Sequence, residues 1–293
     1  MFFKSKRCKA GFFKKGNRCF KRERVKDLRS GSVCTLDGKS YCKKGDKPLR
    51  PIIARAGGKS QLADKIISKM NSHEIYNEPF VGGGAVFLKK PLAKKNYIND
   101  KDKDVITVYK SFKNKVGFQK CNMIPSKRKF DRIKNKKNKN ACDVAYLNKL
   151  SFGSKMGTFY KKRFPINKKD LGISYQNAHK DDYKEKLEKA NITSQDFKQV
   201  MKKADSKKTV HFLDPPYYGK ASISANYKEK GVTPKEVCDT AKKMNGQVLI
   251  TYNDHPEVRK QCKGLKKHKI SSRYALNNFD GIKKSKELLI IKN

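Results

Sequence analysis

The chain has 293 residues, 36% of them hydrophobic, which is enough for one sizeable core and one small appended module. Lysine and arginine number 72 against 27 acidic residues, and the resulting net charge of +45 makes nucleic acid the expected partner. The alternative is a solvated lysine-rich surface that binds any acidic molecule. No apolar stretch approaches the roughly 18 residues that cross a bilayer, and Lys4 and Lys6 follow the first apolar residues at once, so we expect neither a membrane span nor a secretory signal.

Residues 1–48 differ from the rest in composition and are predicted to form a separate basic extension. They contain Cys8, Cys19, Cys34 and Cys42 but no Cys-x-x-Cys pair, so zinc binding, disulfides and free thiols all stay open. The segment from Cys8 to Cys19 is similar to short Cys/Gly/basic motifs at the ends of some large DNA virus proteins. This resemblance implies a viral source and packaging in a virion with other virion proteins.

The remaining cysteines, Cys121, Cys142, Cys238 and Cys262, lie far apart and show no ligand spacing. We expect them to be ordinary core residues or free thiols. A bound metal is therefore not predicted.

From Pro51 onward, short apolar runs alternate with longer helical stretches, a pattern typical of an α/β sheet with crossover helices. Strands are expected near Ile75–Phe80, Asn96–Ile98, Asn191–Thr193, Val210–Leu213, Gln247–Thr251, His268–Ala275 and Leu288–Lys292. The sheet should be mostly parallel, with the last two strands paired antiparallel at the edge, because turn residues such as Asp280-Gly281 separate them. From about residue 105 to 180 the strand signals stop, and this lysine- and asparagine-rich stretch is predicted to be a DNA-recognition insertion within a domain of residues 49–293.

A glycine turn follows the first of these strands. Glu78-Pro79-Phe80 leads into Gly82-Gly83-Gly84, where the missing side chains would let a bulky cofactor approach the backbone before a helix begins. The alternative is a glycine turn required only for packing. Asp100 follows the next strand, where its carboxylate could accept hydrogen bonds from ribose hydroxyls, or could simply cap a helix.

A second turn, Ala56-Gly57-Gly58-Lys59, precedes a predicted helix at Gln61–Met70. It offers a cation suited to the carboxylate of a cofactor, although the same residues could merely begin the helix.

The most informative run is Asp214-Pro215-Pro216-Tyr217, which ends the apolar strand Val210–Leu213. The prolines fix a backbone that presents a carboxylate, a carbonyl oxygen and an aromatic face together. An aromatic amine is a poor nucleophile, because its lone pair is delocalised into the ring. Two acceptors, the Asp214 carboxylate and the Pro215 carbonyl, could hold both amino hydrogens and direct the nitrogen at a methyl group, while Tyr217 stacks on a flipped-out base. The alternative is a structural turn at the end of a strand.

Together these motifs resemble the Dam family of adenine N6-methyltransferases over nearly all of residues 51–293. The order of the motifs resembles that of the family's alpha group. Asp196-Phe197 resembles the family's pair that holds the adenine of the cofactor, although it could instead cap and pack a helix. Further similar segments are Tyr146-Leu147-Asn148-Lys149, where lysine replaces the family's arginine, the strand end Leu249–Asp254, and the closing strand that contains Glu287. The resemblance implies a Rossmann-like S-adenosylmethionine-dependent methyltransferase sheet with a small recognition insertion.

The predicted function is site-specific methylation of adenine N6 in double-stranded DNA, with S-adenosylmethionine as the cofactor, by an intracellular monomer. The predicted cofactor site consists of Ala56, Gly57, Lys59, Glu78, Pro79, Phe80, Gly82, Gly84, Asp100, Asp196 and Phe197. The predicted DNA contacts are Lys127, Arg128, Lys129, Arg132, Lys134, Asn148 and Lys149. Two alternatives stay open: a catalytically idle DNA-binding or virion protein, and an enzyme that acts on cytosine N4 or on RNA.

Overall fold

The structure is a computed structural model. In the N-terminal part it describes four short strands, at residues 12–15, 18–21, 35–36 and 39–40. Beyond these strands it describes residues 48–55, 57–160, 172–219, 232–274 and 283–293. The chain divides into two compact units, residues 1–33 and 34–293. The first contains an antiparallel hairpin of β1 (Phe12–Lys15) and β2 (Arg18–Lys21). The second contains the short hairpin of β3 (Thr35–Leu36) and β4 (Lys39–Ser40) and the main sheet. The four N-terminal cysteine side chains lie outside the described residues.

The main sheet has seven strands, and all seven were predicted, six of them within about two residues at each end and the last with a start five residues too late. They are β5 (Ile75–Glu78), β6 (Lys95–Asn99), β7 (Ala190–Thr193), β8 (Thr209–Leu213), β9 (Gln247–Asn253), β10 (Lys266–Tyr274) and β11 (Lys283–Lys292). The central strands β8 and β9 are buried almost throughout, as their uninterrupted apolar sequences predict for parallel strands covered on both faces.

The strand order is β10-β11-β9-β8-β5-β6-β7. Strands β5 to β9 run parallel to one another, whereas β11 is antiparallel to both β9 and β10. The predicted antiparallel pair at the edge is confirmed, although the turn residues between its strands lie outside the described chain. The order of the parallel strands reverses between β5 and β8, and α/β sheets bind ligands at the carboxyl ends of the strands beside such a reversal.

Helices connect the strands and cover the sheet. They are α1 (Ala63–Ile67), α2 (Lys103–Lys113), α3 (Lys127–Lys134), α4 (Ala141–Lys149), α5 (Ser174–Ala178), α6 (Lys180–Glu188), α7 (Phe197–Ala204), α8 (Pro234–Lys242) and α9 (Pro256–Gln261). The start of α4 shows how the sequence fixes such an element, because Asn140 and Asp143 form a reciprocal capping box there. The described part of 105–180 contains helices and turns and no strand of the main sheet, which agrees with its few strand signals. None of the helices described is long and apolar enough to cross a membrane.

Three of the four cysteines of the main unit are buried in the core as expected, but the expectation that they are unbonded was wrong. Cys121 is bonded to Cys142 and Cys238 to Cys262, with Cα–Cα distances of 5.2 Å and 5.4 Å. One disulfide joins a loop to the first turn of α4, and the other joins α8 to the end of α9. Sequence spacing could not reveal these pairs, because the partners are 21 and 24 residues apart and meet only when the helices pack.

Candidate active site

A cavity of about 1470 Å³ opens at the carboxyl ends of β5, β6 and β8. Small-molecule pockets usually measure roughly 300–1,000 Å³, so this one has room for a cofactor and a second group. The predicted cofactor residues that line it are Lys59, Glu78, Pro79, Phe80, Gly82, Gly84, Asp100, Asp196 and Phe197. Asp214 and Pro216 line it as well. Gly57 occupies the turn beside Lys59 with a φ of +80°, and Ala56 lies outside the described residues.

The glycine loop serves both the cavity and the packing of the protein. A Cβ on Gly83 would come within 2.4 Å of the Ile53 carbonyl, and one on Gly84 within 2.2 Å of the Tyr109 hydroxyl. The packing alternative therefore holds for these two glycines, although both also line the cavity. The helix expected after the loop is reduced to turns, which include a bond from Leu88 N to Gly84 O of 2.9 Å.

Asp100 lies beside the glycine loop and shapes it. Its two carboxylate oxygens accept hydrogen bonds from the backbone N–H groups of Gly82 and Asp102, each at 2.9 Å. Burial raises the pKa of the Asp100 carboxyl, and the nearby Arg55 guanidinium opposes the rise. The carboxylate thus borders the cavity at a fixed position, where the sequence predicted a ribose contact.

An aromatic pair, Phe80 and Phe197, lines another part of the cavity. Asp196 caps α7 by accepting from Lys198 N at 2.9 Å, which is the structural role that the sequence left as its alternative. The neighbouring Phe197 packs on Phe80 with ring centroids 5.2 Å apart. Both rings line the cavity, where they offer an apolar surface to a flat heterocycle.

Four side chains meet around Asp214. Lys59 Nζ lies 2.7 Å from Asp214 Oδ1, and Thr251 Oγ1 donates to the same oxygen at 2.6 Å. Lys59 Nζ also lies 4.9 Å from the centre of the Tyr217 ring and 3.7 Å from Glu287 Oε2. Burial raises the pKa of Asp214, and the Lys59 ammonium limits the rise. The sequence assigned Lys59 to a cofactor carboxylate, whereas the fold pairs it with Asp214.

Glu78 contributes a second carboxyl group to the cavity. It is buried at the end of β5 and accepts a hydrogen bond from the Tyr76 hydroxyl at 2.7 Å. Burial, with the neighbouring Asp214 charge, raises the pKa of Glu78 to about 8. The Glu78 carboxyl is therefore largely protonated at neutral pH.

The basic insertion borders the same cavity. Lys134, Lys136, Lys137 and Lys149 line it, of which only Lys134 and Lys149 were among the predicted DNA contacts. On α3 the other predicted contacts, Lys127, Arg128 and Arg132, are exposed, whereas Lys129 is partly buried with its ammonium 4.4 Å from the centre of the Tyr146 ring.

Asn148 has a structural role that differs from the predicted DNA contact. It is fully buried, and its amide accepts from Ala54 N at 3.2 Å and donates to Ala54 O at 2.7 Å and to Ser154 O at 3.2 Å. These bonds tie α4 to the residues that precede the Lys59 turn. A buried side chain with these bonds is not available to a DNA backbone.

Sequence reasoning missed three residues of the site. Thr251 of β9 donates to Asp214, Glu287 of β11 accepts from Tyr217, and Gln176 lines the cavity with its Nε2 bonded to Pro51 O at 3.1 Å. Glu287 carried a faint signal, because it is an acid at the start of the apolar run Leu288–Ile291. Thr251 lies in the segment Leu249–Asp254 that resembles the family's strand end, but no role was predicted for it. Gln176 carried no signal, since its contact with Pro51 is distant in sequence.

This sheet, with a cavity at its strand-order reversal, defines a Rossmann-like domain with a small-molecule site. The family model described as D12 class N6 adenine-specific DNA methyltransferase matches residues 56–276. The chain belongs to this family, which confirms the family, fold, cofactor and reaction expected from the sequence.

Two curated relatives agree with this family. The chain is 29% identical over 203 residues to the type II methyltransferase M.MjaIII of Methanocaldococcus jannaschii, covering 58% of this chain and 69% of the relative. It is 26% identical over 257 residues to M1.LlaDCHI of Lactococcus lactis subsp. cremoris, also a type II methyltransferase, covering 76% and 88%. Among solved structures, a precorrin-6y C5,15-methyltransferase from Geobacter metallireducens aligns with a TM-score of 0.39 at 9% identity, covering 83% of this chain and 97% of that one.

The family decides between the alternatives left open by the sequence. An adenine-specific DNA methyltransferase family favours N6 methylation of DNA over cytosine N4 or RNA as the target, and over a catalytically idle protein.

Proposed function

We propose that the cavity holds S-adenosylmethionine together with a target adenine turned out of the duplex, and that Asp214 and Tyr217 act on the adenine. The observation that carries this proposal is the Asp214 carboxylate, which is held at the end of β8 beside the strand-order reversal, at the edge of the cavity. Its charge is balanced by Lys59 at 2.7 Å, so the group is fixed in place before any substrate arrives.

The residues that line the cavity fit the cofactor. Phe80 and Phe197 suit its adenine ring, Asp100 its ribose hydroxyls, and the glycine loop with Glu78 the cationic methionine part. When bound, S-adenosylmethionine supplies a methyl group on a positively charged sulfur, which leaves readily as a neutral thioether.

Asp214 and its neighbours orient the target amine. The described contacts of Asp214 with Lys59 and Thr251 both use Oδ1, so we assign Oδ2 to accept a hydrogen bond from the adenine amino group. The Pro215 carbonyl takes the second amino hydrogen, and the Tyr217 ring stacks on the base. With both hydrogens held, the nitrogen lone pair is directed toward the methyl group.

DNA would reach this cavity over the basic insertion. The rim lysines Lys134, Lys136 and Lys137, with Lys149, are placed to neutralise phosphates beside the flipped base. The exposed Lys127, Arg128 and Arg132 would extend this surface along α3. A viral source, packaging in a virion and a monomeric state rest on the sequence alone and stay predictions.

Mass spectrometry of nucleosides tests the reaction directly. Unmethylated genomic DNA is incubated with the protein and S-adenosylmethionine carrying a deuterium-labelled methyl group, and is then digested. We expect the label in N6-methyldeoxyadenosine and in no other nucleoside. Label found only in N4-methyldeoxycytidine or only in a parallel RNA sample, or no label from folded protein that binds the cofactor, would contradict the proposal.

A further inference from the structure

Glu287 is a buried acid that the mechanism above leaves without a role. It lies on β11, is 1% exposed, and accepts a hydrogen bond from the Tyr217 hydroxyl. The same oxygen, Oε2, is 3.7 Å from Lys59 Nζ. A carboxylate so deeply buried is costly unless a cation and a hydrogen-bond donor accompany it, and here both belong to the active site.

We propose that Glu287 is a positioning residue for methyl transfer, which holds the ring of Tyr217 and the ammonium of Lys59 in the places that the target adenine requires. In this proposal Glu287 acts through these two side chains and not by direct contact with the base or the cofactor. The inference rests on the function proposed above.

The first part of the argument concerns the Tyr217 ring. The backbone next to it is already fixed, because Tyr218 N donates to Asn253 Oδ1 at 3.0 Å and Asn253 Nδ2 donates to Tyr218 O at 3.2 Å. Asn253 is also the cross-strand partner of Glu287 in the β9–β11 ladder. The two strands therefore hold both parts of this segment: Asn253 holds the backbone and Glu287 fixes the far end of the side chain that is to stack on the base.

The second part concerns charge. Lys59 lies between two carboxylates, at 2.7 Å from Asp214 and 3.7 Å from Glu287. Without Glu287, Asp214 would be the one carboxylate described beside Lys59, whose other described acceptor is the Gly57 carbonyl at 2.5 Å, and the attraction would draw Asp214 away from the incoming amine. With Glu287 as a second counter-charge, Lys59 can balance the pair while Asp214 accepts from the substrate.

Three variants separate these contributions. Glu287→Gln keeps the shape and an acceptor for the Tyr217 hydroxyl but removes the charge, and Glu287→Leu removes both. Tyr217→Phe keeps the ring and removes only the hydroxyl. The matched control is Glu257→Gln, because Glu257 lies on α9 and does not line the cavity.

We expect Glu287→Leu to lower kcat for DNA methylation by about 10- to 100-fold, which is the loss of rate that a small misplacement of a catalytic group causes. The dissociation constant for S-adenosylmethionine should stay unchanged. Glu287→Gln should lose less, and Glu257→Gln nothing. In the Tyr217→Phe background the additional loss caused by Glu287→Leu should shrink, because the two changes remove one shared contact.

Wild-type kcat in folded Glu287→Gln and Glu287→Leu would overturn the inference. So would losses of cofactor affinity and thermal stability with kcat preserved, which indicate a purely structural residue. If Glu287→Leu does not fold, the cycle of Glu287→Gln with Tyr217→Phe decides, and additive effects there contradict the proposed coupling. A wild-type protein that methylates no adenine would instead contradict the proposed function itself.

Discussion

The replacement Asp214→Asn tests the reaction centre most directly. It keeps the size of the side chain but removes the charge and can place an amide donor where the target amine needs an acceptor. Loss of one preorganised hydrogen-bonding group in an active site costs about 100- to 1,000-fold in kcat, or about 2.7–4 kcal/mol in the barrier. We expect a loss in this range.

The same change also affects stability, and the structure indicates by how much. Lys59, with 2% of its side chain exposed, loses its partner at 2.7 Å. Breaking a buried ion pair costs about 3–5 kcal/mol, and we expect a smaller loss because Glu287 at 3.7 Å and the Gly57 carbonyl at 2.5 Å remain. Kinetics must therefore be measured below the melting temperature of the variant.

The assay compares single-turnover methylation of DNA with calorimetric binding of S-adenosylmethionine. Asp239→Asn serves as a matched control, since Asp239 lies on α8 and does not line the cavity. Asp214→Asn should bind the cofactor almost normally and methylate slowly. A wild-type rate in the folded variant, or a loss of cofactor affinity as large as the loss of rate, would refute this mechanism.

Three further predictions concern DNA, the extension and pH. Replacing the exposed rim lysines Lys134, Lys136 and Lys137 with glutamine should flatten the salt dependence of DNA binding. The slope of log K against log salt concentration should fall by about 0.9 per lost phosphate contact, whereas the same change at lysines of α8 should leave it unchanged. Deleting residues 1–47 should preserve turnover on short duplexes and weaken nonspecific DNA affinity; loss of cofactor binding would show that the extension is part of the catalytic unit. Because Glu78 has a pKa of about 8 and a cationic cofactor favours its charged form, binding should release protons and the affinity for S-adenosylmethionine should rise with pH up to about 8. Glu78→Gln should abolish that rise. A wild-type affinity that does not change with pH would show that Glu78 does not contact the cofactor.

Several parts of the site were predictable because their signals are local. The ends of β5 and β8 carry Glu78 and Asp214 directly after apolar runs, and a parallel sheet brings such strand ends to one edge. The glycine loop was equally readable, although its glycines also satisfy packing against Ile53 and Tyr109. Asp196 and Phe197 both line the cavity, and the Asp196 carboxylate also caps α7, which is the structural role that the sequence left as the alternative.

Taken by itself, the sequence determined the seven strands, the family and the residues at the strand ends, because periodicity and short motifs act within one element. Only the tertiary structure decided which side chains meet. It paired Lys59 with Asp214, brought Glu287 of the antiparallel strand to Tyr217, buried Asn148 against Ala54, and joined the four cysteines in two disulfides. These contacts join residues that are distant along the chain, and their geometry depends on how strands and helices pack, which no local pattern encodes.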